Sequence, residues 1–106
     1  MKEATIRSRH PERGGLYQVQ SSGGRVWVNG PDGASVARIS KHGGIDVHRP
    51  LTEQQEHGEC LDCRHDLRGV TAWTHFVGSV LKNFGVRIAE RHRPTWAFDR
   101  QEEVPC

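Results

Sequence analysis

Apolar residues change their spacing part-way along this chain, from every second position to every third or fourth. Through residues 16–48 the spacing is two, in runs of about five residues rich in β-formers, which favours strands over helices. The runs are 16–20, with Leu16, Tyr17 and Val19; 25–29, with Val26, Trp27 and Val28; 34–40; and 45–48, with Ile45 and Val47. Each is closed by turn chemistry: Ser21, Ser22, Gly23 and Gly24; then Gly30, Pro31, Asp32 and Gly33; then Lys41, His42, Gly43 and Gly44. Connections this short join neighbouring strands, so the economical arrangement is an antiparallel meander.

The period then changes. Val70, Trp73, Phe76, Val77, Val80, Leu81 and Phe84 line one side of a helix spanning about 70–84, with Thr71 able to cap its start and Gly85 placed to end it in a left-handed conformation. His75, Ser79 and Lys82 are expected on the other side. Before this helix, Thr52 to Gln55 fits a capping box and predicts a helix of one to two turns; after it, 86–89 alternates as a fifth strand would. The expected fold class is α+β, an antiparallel sheet of four or five strands with one long amphipathic helix packed on one face.

At 106 residues the chain suits one domain. Residues 1–15 are basic and nearly devoid of apolar side chains, which predicts a flexible arm or a loosely docked edge strand at Thr5, Ile6 and Arg7. The domain proper is expected over 16–98, with Trp96 and Phe98 as isolated anchors and 99–106 as a flexible tail. Only 34% of residues are hydrophobic, so the core is expected to be small. The net charge of +2 singles out no polyanionic partner, and no apolar run is long enough for a membrane span or a signal peptide. The cytoplasm is the default compartment, and exposed edges of short strands make a homodimer an expectation.

Three cysteines argue against a closed disulfide framework. Cys60 and Cys63 form a C-x-x-C, which presents two thiolates to one ion; a tetrahedral zinc site then needs two further ligands, for which His65 and either His48 or His57 are candidates. A structural metal would also compensate for a small core. Reduced cysteines packed beside Leu61 and Leu67 are the alternative. A redox pair fits less well, because Glu59 and Asp62 raise a neighbouring thiol pKa.

A second candidate is a sheet face. If Val26 and Val28 point to the helix, Arg25, Trp27 and Asn29 point away, and Arg38, Lys41 and Arg49 extend that surface. An aromatic between guanidinium groups suits base stacking with phosphate contact, or docking of a protein partner, although Asp46 opposes the first. A C-terminal arm folding Trp96 and Phe98 over Trp27 would instead bury it in a second minor core. Among catalytic possibilities, Asp46 and His48 share a strand face and point to a small metal-dependent hydrolase. No G-x-S-x-G, H-E-x-x-H, P-loop or G-x-G-x-x-G is present. The expected function is therefore a small non-enzymatic binding module, with zinc at the cysteine loop and an unknown protein or nucleic acid as partner.

Overall fold

A computed structural model of the chain describes residues 1–41, 44–47 and 69–98. Five strands, β1 (Lys2–Arg7), β2 (Leu16–Ser22), β3 (Arg25–Asn29), β4 (Ser35–Ile39) and β5 (Ile45–Val47), form one antiparallel sheet in sequence order. Helix α1 (Gly69–Phe84) follows, then two short 3-10 helices at Glu90–His92 and Thr95–Phe98. The expected meander and its packed helix are thus present.

The turn residues account for the register. Gly23 and Gly24 both take positive φ, 58° and 81°, which gives the two-residue β2–β3 turn the twist its flanking strands need. At the next turn the Gly33 amide donates to the Gly30 carbonyl at 2.9 Å, and the Asp32 carboxylate accepts from the Ala34 amide at 3.0 Å. With the register so set, Val19 pairs with Val28, Val26 with Ile39 and Ala37 with Val47, which places them all on one face.

Helix α1 lies over that face. Trp73, Phe76, Val80 and Phe84 pack with Tyr17, Val19, Val26, Val28, Ile39 and Val47 into one buried cluster. Each large side chain fully removed from water contributes roughly 1.5–3 kcal/mol before ordering entropy is subtracted. Ser79, expected on the outer side, is instead buried, because the contact surface is wide enough to take a small side chain beside Phe76 and Val80. The helix also begins two residues before Thr71, which is therefore inside its first turn rather than capping it.

Gly85 ends the helix as the sequence predicts, at φ +67°, with its amide donating to the Leu81 carbonyl at 2.9 Å. The helix end is capped from a distant segment. Ser8 donates its hydroxyl to the Phe84 carbonyl, the Arg9 amide donates to Gly85 O at 2.9 Å, and the Arg13 guanidinium donates to Asn83 O at 2.6 Å. A cation at the negative end of the helix dipole adds to this.

Two further differences concern the fifth strand. It is Lys2–Arg7, longer than the loosely docked edge strand expected at Thr5, Ile6 and Arg7 as the alternative to a flexible arm, and it pairs along its length with β2, from Lys2 opposite Ser21 to Arg7 opposite Leu16. The strand expected at 86–89 does not form; the alternation there reflects Val86 and Ile88 entering the core while Arg87 faces out. The loop after β1 is held by the His10 ring, whose Nδ1 accepts from the amides of Glu12 and Arg13, each at 3.0 Å.

Candidate functional site

The second face of the sheet carries a polar surface centred on Trp27. Because strand residues alternate sides, burying Val26 and Val28 leaves Arg25, Trp27 and Asn29 on the opposite face. Trp27 pairs directly with Gln20 on β2 and Arg38 on β4, and Arg38 pairs in turn with Asp46 on β5. The Arg38 guanidinium donates to the Asp46 carboxylate at 3.0 Å. Gln18 donates to Glu3 at 2.7 Å and Asn29 to Gln20 at 3.1 Å, so the amides on the β1–β3 side are tied to one another. Arg25 is exposed and makes no ion pair among the described residues. A cleft of about 780 Å³ runs beside Trp27, with Arg25, Arg38 and Asp46 among its lining residues.

Of the residues expected on this face, Arg25, Trp27, Asn29 and Arg38 share it, and Lys41 is exposed just past the end of β4. Arg49 lies outside the described residues. So do Cys60, Cys63, His65, His48 and His57, the expected zinc ligands, and the capping box at Thr52; among the described residues, no group of three or more His, Cys, Asp or Glu side chains is placed to hold a metal ion. Asp46, the acid of the acid–base pair considered above, is engaged by Arg38.

Among the described residues, Trp96 and Phe98 of the C-terminal segment do not line the cleft beside Trp27. Trp96 donates its indole N–H to Gly24 O at 2.7 Å and packs against the main core, where Ala97 is fully buried. Phe98 is 51% exposed and lies under the Arg93 guanidinium, 4.2 Å from ring centre to Cζ. The segment is drawn to the helix side because His92 is buried there, sharing a 3.2 Å hydrogen bond with Ser21, which occupies the same sheet face as Val26.

That packing builds a second site. A pocket of about 420 Å³ opens at the end of the sheet between Lys2, the β2–β3 turn with Arg25, and the segment from Arg91 to Trp96. Lys2 donates to the Arg91 carbonyl at 3.1 Å, which joins β1 to that segment. Burial lowers the His92 pKa below its ordinary value, and the charges of Arg91 and Lys2 push it further the same way. Among the described residues, Nε2 of this ring has no hydrogen-bond partner. Lys2, Arg25 and Arg91 are far apart in the chain and form no motif, and of the three the sequence singles out only Arg25, for the Trp27 face.

Comparison with known protein families, curated proteins and solved structures finds no match for this chain. What fold and surface define is a class: a small α+β protein with a five-stranded antiparallel meander, one face closed by a helix and the other presenting a tryptophan between arginines. No helix among the described residues is long and apolar enough to cross a membrane.

Proposed function

We propose that the chain is a non-enzymatic binding module and that its Trp27 face receives a single-stranded nucleic acid. The observation that carries this is the direct pairing of Trp27 with Arg38 while Arg25 stands two residues away on the same face. A base stacks on the indole and the guanidinium groups meet the flanking phosphates, a combination that tolerates many sequences because every base has a π face. Zinc bound by Cys60, Cys63, His65 and His48 or His57 is proposed as a structural support, not as part of the contact surface.

The test is anisotropy of a labelled single-stranded 12-mer titrated with the full chain at several salt concentrations. Saturable binding that weakens steeply with salt and by about tenfold in Trp27→Ala is expected, given roughly 1–3 kcal/mol per stacked base. The exposed Arg25→Gln variant should weaken binding without altering the melting temperature. Absence of saturable binding, or the parent protein's affinity kept in both variants, would refute the nucleic-acid assignment.

A protein partner is favoured by a different observation. Asp46 neutralises Arg38 and Glu3 adds a second carboxylate to the same face, a mixed-charge surface more usual for protein contacts.

A further inference from the structure

The pocket at the end of the sheet gathers positive charge without a matching negative one. Of its cationic residues, Arg93 is accounted for: it pairs with Glu90 at 2.8 Å and donates to Ala97 O at 3.1 Å. Lys2, Arg25 and Arg91 are not, and no carboxylate lines the pocket among the described residues. Lys2 spends one donor on a backbone carbonyl and keeps its charge, while Arg25 and Arg91 make no ion pair among the described residues. Lys2 from β1, Arg25 from the β2–β3 turn and Arg91 from the C-terminal segment all line the pocket, so an anion that enters meets their combined positive charge. The depression of the His92 pKa by Arg91 and Lys2 is the same field sensed by a neighbouring group.

We infer that this pocket binds a phosphate group through Lys2, Arg25 and Arg91, beside the turn at Gly23 and Gly24. A lining that holds three cationic residues from three separate segments suits the double charge of a phosphate better than the single charge of a carboxylate. The volume, about 420 Å³, falls within the roughly 300–1,000 Å³ of small-molecule sites, which leaves room for the group that carries the phosphate. Trp96 supplies an apolar wall for that group. Lys2 and Arg91 play no part in the Trp27 face, so phosphate binding lost in their variants is read separately from that proposal. Arg25 borders both surfaces, and the phosphate can therefore belong to a free monoester or to the end of a strand lying on the Trp27 face.

The experiment is a titration of the 15N-labelled full chain with sodium phosphate, against sodium chloride at matched ionic strength, followed through backbone amide shifts. Saturable shifts confined to residues 21–25 and 91–93, absent with chloride, are expected. Arg91→Gln should weaken binding about tenfold, the worth of one charge-assisted contact, and Arg91→Lys should restore most of it. Lys2→Gln is a second, exposed variant expected to act in the same direction. Shifts that do not saturate, that chloride reproduces, or that persist with the parent protein's affinity in both Gln variants would overturn the site. The source is read from one oligonucleotide with and without a 5′-phosphate: a preference for the phosphorylated form that Arg91→Gln abolishes assigns the site to strand ends. Equal affinity for the two, with phosphate itself saturating, assigns it to a free monoester.

Discussion

Trp96 donates its indole N–H to the carbonyl of Gly24 across 2.7 Å, so the C-terminal segment is anchored to the turn between β2 and β3. Trp96→Phe keeps an aromatic of similar shape and removes the donor. The expected loss is about 1–2 kcal/mol, from one hydrogen bond and some packing, measured as a lower urea midpoint at unchanged slope. The pocket lined by Trp96 should loosen with it, so phosphate affinity should fall in the same variant.

Two glycines on or next to α1 should respond in opposite senses to the same substitution. A Cβ on Gly85 would lie 2.3 Å from the His10 amide nitrogen and would require φ +67° of an L-residue, so Gly85→Ala should cost about 3 kcal/mol or more. Gly78 is exposed in the helix, and a Cβ there meets nothing within 4 Å. Gly78→Ala should therefore stabilise by about 0.5–1 kcal/mol. Thermal melts of the two variants are the check.

The stability of the fold should depend on pH through His92. Burial, then Arg91, then Lys2 hold its imidazole below the ordinary value of 6.5, so the unfolded chain takes up the proton more readily than the folded one. Stability is unaffected by this group well above pH 6.5, declines as the pH falls through that value, and stops declining below the folded-state pKa. Melting temperatures between pH 8 and pH 5 should drop less in His92→Gln than in the parent protein. An identical pH profile in the variant would remove His92 as the cause.

Arg38 and Asp46 form an ion pair whose side chains are 63% and 42% exposed, so it should be worth little to the fold. Asp46→Asn should leave the melting temperature nearly unchanged. On the nucleic-acid proposal it frees Arg38, raising single-strand affinity several-fold and steepening the salt dependence by about one phosphate contact. A weaker complex in Asp46→Asn would count for a protein partner.

Metal content bears on the cysteine loop. Zinc is expected in protein purified without a histidine tag, and a chelator should lower the melting temperature by several degrees; Cys60→Ser should abolish both effects. A metal-free protein with a chelator-insensitive melt would leave Cys60 and Cys63 as packing residues.

The sheet was legible because its strands are bounded by residues with one conformational use. Gly23, Gly24 and Gly33 all adopt the positive φ that turns of this kind require, and between them Val26 and Val28 alternate cleanly with Arg25, Trp27 and Asn29. Helix α1 was legible for the same reason, through Trp73, Phe76, Val80, Phe84 and the terminating Gly85. β1 was legible only at Thr5, Ile6 and Arg7, and there only as the alternative to an arm, since Lys2, Glu3, Thr5 and Arg7 are exposed on an edge strand and only Ala4 and Ile6 are partly buried; its full length comes from pairing with β2, a non-local cause. The alternation of 86–89 misled because extended chain in a core buries every second side chain whether or not a neighbour completes a ladder. The Trp27 face could be read from parity along a single strand, whereas the basic pocket draws on three segments that only tertiary packing brings together.

The loop that follows β1 ties the two halves of this protein into one cooperative unit. The Ser8 hydroxyl reaches a carbonyl 76 residues further along, and Arg9 and Arg13 bond to the same helix end. A closure that long is slow to find and gives little until both partners exist, so β1 and the last turn of α1 should form together and late in folding. Deleting residues 1–13 would then do more than remove an edge strand: it would uncap the helix that covers the whole core, and what remained would be a meander without its lid.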